Sequence, residues 1–186
     1  MTKRQITPFL LLLFAFLIWL YFKPETMTVI EKKHQLNYIA YSASNIHFDK
    51  EGEISYKIFS DKTTGLTEGE ITNFEAPKVV VYIKNRNNTT SVWEITSKRG
   101  YLYKQNKLIL LHDVQVKNLS KDQLIQSMTT DKLTLFLKTK EISTNRPIYW
   151  QGPQMKQQGI GMWGSLVTEE LIVKDKIKAV YLNENK

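Results

Sequence analysis

Few side chains in this sequence could do covalent chemistry, and their spacing does not favour it. There is no cysteine, which removes every thiolate metal site, every disulfide framework and every cysteine-nucleophile mechanism. The three histidines, His34, His47 and His112, have no second ligand at metal-binding spacing, so no metal site is expected. Asp113 follows His112, but the pair falls in a bend between two apolar runs, where neighbouring side chains diverge. Gly159-Ile160-Gly161-Met162-Trp163-Gly164 matches G-x-G-x-x-G, a pattern that holds a dinucleotide only between a strand and a helix N-terminus in a βαβ unit. Here Gln154-Met155-Lys156-Gln157-Gln158 precedes it, a poor buried strand, so glycines at a turn or a crowded sheet position are the simpler reading. No G-x-S-x-G, H-E-x-x-H or P-loop motif occurs, and no pair of carboxylates stands out. The Asn-x-Thr triplets at Asn87 and Asn88, and Asn118-Leu119-Ser120, are formal glycosylation acceptors that read as turn residues. The chain is therefore expected not to be an enzyme, with no cofactor.

The elements that position these residues are of two kinds. From Phe9 to Phe22 the chain reads FLLLLFAFLIWLYF, with no polar side chain beyond the Tyr21 hydroxyl; extended back to Ile6 this makes a helix about 25 Å long, enough for one membrane span. A helix apolar on all faces needs a shell of protein or lipid, and the rest of the chain is less apolar than the 42% average. Lys3 and Arg4 precede the run as they would in a signal peptide, but Lys23-Pro24-Glu25-Thr26 offers no small-x-small cleavage site. The expectation is an uncleaved anchor at 6–22, with Ile6, Phe9, Phe14, Trp19 and Phe22 facing lipid. Lys3, Arg4 and the α-amino group place residues 1–5 in the cytoplasm and export the remainder. The whole chain has 26 basic and 18 acidic residues; setting aside Lys3, Arg4 and Lys23 leaves the exported part at +5, too dispersed for a nucleic-acid surface.

Residues 23–44 show no sustained period and read as a tether. Beyond them, short alternating runs recur between turn residues spaced about ten apart: Ile54-Tyr56-Ile58, the β-branched Lys78 to Ile83 closed by a loop at Lys84 to Asn88, Trp93-Ile95, Leu108 to Leu111, Val114-Gln115-Val116, Leu133 to Leu137, Glu141 to Thr144, Ile148 to Trp150 and Leu171 to Val173. Gly52, Gly65, Gly69 and Gly152-Pro153 are among the turns. Connections this short favour antiparallel neighbours, and the fold class is all-β, a barrel or sandwich at 45–183 with a tail at 184–186. One apolar face comprises Ile54, Tyr56, Ile58, Trp93, Ile95, Leu108, Leu110, Val114, Val116, Leu133, Leu135 and Leu137. Periodicity alone leaves open whether that face is a closed core or the lining of a groove.

The order of segments carries a resemblance. A basic N-terminus and single span are followed by Asn45 to Ile58 (NIHFDKEGEISYKI), Phe74-Glu75-Ala76-Pro77, Trp93 to Ser97, Leu108 to Val116 (LILLHDVQV), Met128-Thr129-Thr130-Asp131 and Gly159 to Gly164. This resembles the LptC family, bitopic inner-membrane components of the lipopolysaccharide export machinery of Gram-negative bacteria, over nearly the whole chain. One departure is His112, where that family often has glycine, which bears on the geometry of the bend. The resemblance implies an antiparallel β-jellyroll, open like a taco, whose apolar interior receives lipopolysaccharide acyl chains. Phe74, Val80 and Leu171 then join the twelve residues above as groove lining. It further implies an N-terminal edge against the inner-membrane ABC transporter (LptF and LptG with the ATPase LptB). A C-terminal edge would meet periplasmic LptA, with Gly159, Ile172, Val173 and Ile177 at that interface. The rival expectation is a membrane-anchored periplasmic β-sandwich assembly factor with a closed core and no lipid cargo.

Overall fold

A computed structural model of the chain describes residues 13, 14, 16, 18, 19, 36–66, 70–85, 88–120, 125–153 and 155–181. The chain divides into two units, Met1–Lys33 and His34–Lys186. In the first, residues 13, 14, 16, 18 and 19 are helical, Phe14 and Trp19 are exposed, and the Phe16 and Trp19 rings stack at 5.9 Å. Ile6, Phe9 and Phe22 lie outside the described residues, as does most of the expected span. Among the described residues no helix is long and apolar enough to cross a membrane.

The second unit is all strand among its described residues: β1 (Leu36–Phe48), β2 (Ile54–Leu66), β3 (Ile71–Glu75), β4 (Lys78–Lys84), β5 (Thr90–Thr96), β6 (Arg99–Tyr103), β7 (Lys107–Asn118), β8 (Ser127–Phe136), β9 (Glu141–Gln151), β10 (Met155–Ser165) and β11 (Glu170–Tyr181). All pair antiparallel in one sheet. Sequence neighbours β7 to β11 run as a meander. Between β2 and β7 the sheet forks: Tyr56 to Phe59 of β2 pair with β4, which leads through β5 to Gln115–Asn118 of β7, whereas Lys62–Leu66 pair with β3, which leads through β6 to Lys107–Leu111.

That fork marks a crease crossing every long strand. Its line passes Ser42 in β1, Asp61 in β2, the Ala76-Pro77 and Ser97-Lys98 corners, His112-Asp113 in β7, Asp131 in β8, Pro147 in β9, Gly161 in β10 and Lys176 in β11. Ser42, Ala76, His112, Asp113, Gly161 and Lys176 all have positive φ, and the pairing register slips at Leu111/Val114, Thr130/Thr134 and Ile160/Met162. A bulge adds a residue, bends the strand and can restore the inward face beyond the bend. In β8 the inward set accordingly changes from Met128 and Thr130 to Leu133 and Leu135. Half A is the portion of the sheet containing β4, β5 and 114–118 of β7; half B contains β3, β6 and 107–111. Their inner faces meet in one apolar cluster.

Polar groups at the crease are paired, as buried or bent backbone requires. Ser60 Oγ and Thr63 Oγ1 share a hydrogen bond of 2.6 Å, and Thr130 Oγ1 donates to the Pro147 carbonyl at 2.9 Å. The bend at His112, where a glycine would adopt φ of 63° without penalty, is tied instead from outside. The Lys98 amide donates to the His112 carbonyl at 3.0 Å, Lys98 Nζ pairs with Asp113, and His112 Nδ1 lies 3.5 Å from Asp131 Oδ1. Lys98 holds the Asp113 carboxyl below its usual range, and Asp113 raises Lys98 in return.

Three sequence expectations change here. Residues 36–44, expected as tether, form most of β1; this edge strand is exposed on both faces, so it has no apolar alternation to find. Gly65 is a strand residue, not a turn: a Cβ there would lie 2.0 Å from the Tyr38 ring. Asn118, expected in a turn, ends β7 in the core, 4% exposed.

Candidate functional site

The inward face begins as a packed layer. Tyr56, Ile58, Phe74, Trp93, Ile95, Leu108, Leu110, Val114, Val116, Leu133, Leu135 and Leu137 are all buried in the same cluster. Ile54 is half-buried at the start of β2. Val80 is a correction. In β4 the buried residues are Val79, Val81 and Ile83, so Val80 lies on the outer face. A strand with β-branched residues on both faces does not reveal its parity.

The layer does not stay closed along its length. Towards β11 the two halves separate around a cavity of about 400 Å³, within the roughly 300–1,000 Å³ usual for ligand pockets. Half A contributes Trp93, Val116, Met128 and Trp150; half B contributes Ile142, Leu166 and Leu171; Val173 and Ile177 of β11 form one flank. The space arises from β10. Gly164 and Ser165 line the cavity there and put little side-chain volume between the halves. Gly159 lets β11 close in, since a Cβ there would stand 2.4 Å from Val173 Cγ1, and at Gly164 it would stand 3.1 Å from the Glu170 carbonyl. The glycine-rich motif thus spaces a sheet.

Of the fifteen residues expected to line a groove, Trp93, Val116 and Leu171 reach this cavity. Met128, Ile142, Trp150 and Leu166 also line it without having been singled out, and Glu169 and Glu170 bring carboxylates to its edge. Met128 and Trp150 stood in recognised runs, but Leu166 lies in the β10–β11 turn. The expected C-terminal interface also divides. Val173 and Ile177 line the cavity, Gly159 is buried in β10, and Ile172 alone points outward, 59% exposed. Among the described residues β11 pairs only with β10 and β1 only with β2, so these two strands are the sheet's edges there.

Two polar features sit in this apolar setting. The Trp93 Nε1–H is buried without a hydrogen-bond partner and belongs to a cavity-lining side chain. Lys140 in the β8–β9 turn, whose carbonyl accepts the Leu166 amide, is 8% exposed, and burial pushes its ammonium down to about 8 against the partial support of Asp49. No group of three or more His, Asp or Glu that could hold a metal occurs among the described residues.

A creased antiparallel sheet with an apolar cavity between its halves and two edge strands defines the class as an all-β domain built around an internal apolar space. The family model described as "Lipopolysaccharide-assembly, LptC-related" matches residues 9–182, and the chain belongs to that family. It is similar to the lipopolysaccharide export system protein LptC of Haemophilus influenzae, 26% identical over 167 residues that cover 82% of this chain and 80% of that protein. It is also similar to the protein of the same name from Escherichia coli K12, 21% identical over 164 residues covering 88% and 84%.

Proposed function

We propose that the chain acts in lipopolysaccharide export, accepting acyl chains between the halves of its sheet and passing the lipid on towards the outer membrane. The observation that carries this reading is the apolar cavity beside β11. An acyl chain exposed to water costs about 0.8 kcal/mol per methylene, on the order of 10 kcal/mol for a long chain, and a lined apolar space offsets that cost without chemistry by the protein. The sheet would be the jellyroll of the family, anchored by residues 6–22 in the inner membrane with its N-terminus cytoplasmic and its bulk periplasmic. The free edges suit strand addition: β1 towards the transporter of LptF, LptG and LptB, and β11 towards LptA, extending the apolar trough from one domain into the next.

The test is photocrosslinking from positions in both regions of the interior. In the assembled, ATP-driven system, a photoreactive residue at Leu171 captures lipopolysaccharide, and its capture rises with ATP. Failure at Leu171, Val173 and Ile177 together, in a correctly assembled complex, would remove the cargo reading and favour a closed-core assembly factor.

A further inference from the structure

Lys140 is a buried cation for which packing supplies no counter-charge. Its Nζ donates to Ser55 Oγ at 2.7 Å and to the Ser55 carbonyl at 3.2 Å, and stands 5.0 Å from the centre of the Tyr56 ring. None of these partners is a carboxylate, and among the described residues Lys140 has no ion pair. Asp49 is near enough to favour the charged form, but its Oδ1 already accepts the Glu51 and Glu53 amides of the β1–β2 turn. An ammonium withdrawn from water is expensive unless it meets an anion. Leucine or methionine would fill this position at less cost, so the charge invites a role other than packing.

Its place in the fold suggests that role. Ser55 opens β2 in half A; Lys140 closes the turn before β9 in half B, and its carbonyl accepts the Leu166 amide at 3.1 Å from the neighbouring β10–β11 turn. Eighty-five residues separate the two partners, which come together only across the mouth of the creased sheet. The hydrogen bonds therefore clasp one half to the other, beside the lip turn that supplies Leu166 to the cavity. Anything moving in or out of the interior along this side must part Lys140 from Ser55.

We propose that Lys140 is an anion-operated latch: a phosphate monoester on the headgroup of an incoming amphiphile takes the Lys140 ammonium from Ser55, and this exchange releases half A from half B. The inference rests on the lipid-cargo reading above and names the group that opens the site. The ammonium has three N–H donors and Ser55 takes two of them; a phosphate that takes those two binds the open form in preference, which is the condition for a ligand-driven change. A phosphate–ammonium hydrogen bond is also stronger than one to a neutral hydroxyl or carbonyl. His47, stacked on Tyr56 at 4.7 Å, and Asp49, Lys50, Glu51 and Glu53 are ionisable groups of β1 and its turn; the carboxylates disfavour loose association of free anions there.

The chain has no cysteine, so spin labels at Glu53→Cys and Thr139→Cys, both exposed and on opposite lips, report the latch uniquely in the full-length protein in nanodiscs. Bisphosphorylated lipopolysaccharide should lengthen and broaden the interspin distance, enzymatically dephosphorylated lipopolysaccharide should leave it at the ligand-free value, and inorganic phosphate at matched concentration should do the same. Lys140→Ala should be open without ligand, Lys140→Arg should keep the phosphate response, and Ser55→Ala should open at about tenfold lower lipid concentration. Equal opening by the dephosphorylated lipid, or a closed mouth in Lys140→Ala, overturns the latch. Opening by inorganic phosphate alone overturns the headgroup as its ligand. Crosslinking at Leu171 with both lipids, measured in parallel, separates these results from failure of the cargo reading itself.

Discussion

Around Ile58, Val79, Val81, Leu108 and Leu135 the halves of the sheet meet with no side chain more than 2% exposed; around Trp93, Trp150, Leu171 and Ile177 the same fold encloses about 400 Å³. Both regions are built on inward-facing alternation, yet one is a core and the other a container. The difference lies in the residues opposite. In the closed region Val79, Val81, Leu108, Leu110, Leu133 and Leu135 fill the space between the halves, whereas Gly164 and Ser165 of β10 offer little volume to the hollow region. Apolar pattern specifies which face is covered; side-chain volume specifies whether anything else fits.

The largest expected effect tests that difference directly. Leu135→Ala leaves a void in the closed region and should destabilise by about 2–5 kcal/mol, whereas Leu171→Ala, half-buried beside existing space, should cost less than about 1 kcal/mol. Chemical denaturation of the two variants checks this, and equal losses would erase the distinction. Next, Ile177→Trp, which adds bulk to the hollow region from an exposed flank, should cut lipid capture at Trp93 about tenfold while moving the unfolding midpoint little. Undiminished capture would place the lipid elsewhere.

A smaller effect concerns the latch. Because burial depresses Lys140 to about 8, the unfolded chain binds this proton more tightly than the folded one. Stability should therefore rise with pH from about 8 towards the unfolded value near 10.5. Lys140→Met should remove that component, so the difference between wild-type and variant melting profiles isolates it from tyrosine titration, including that of Tyr56, which burial raises. A difference that is flat with pH would mean that Lys140 is solvated. The smallest effect belongs to the crease: His112→Gly trades the contact to Asp131 for an unstrained left-handed residue and should stay within about 1 kcal/mol of wild type.

The sequence made the strands of half A and half B legible wherever one face was buried, and it placed twelve residues in a common apolar layer. It could not show β1, whose Leu36, Tyr38, Ile39 and Tyr41 are exposed at a sheet edge, nor the parity of Val80 and Ile172 in runs apolar on both sides. The cavity was out of reach for another reason: it is the volume left between β5, β9, β10 and β11, and depends on which side chains meet across the halves. Lys140 carries no signal in the sequence, because its burial depends on Ser55, 85 residues away along the chain. The Gly159 to Gly164 run was correctly separated from nucleotide binding, and its role in spacing β10 from β11 emerged only from their register.

The fork at β7 also bears on how the domain comes together. From β7 to β11 each strand pairs with the next along the chain, so this meander forms through short closures. β2 to β6 can close their ring only when both ends of β7 are present, since Gln115–Asn118 complete one branch and Lys107–Leu111 the other. Pairings at long sequence separation are slow to form, and a chain cut before Lys107 would leave β5 and β6 with open edges. β7 is therefore the strand whose arrival commits the earlier strands to their final partners, and substitutions at Leu108, Leu110, Val114 or Val116 are where slowed folding should be sought first.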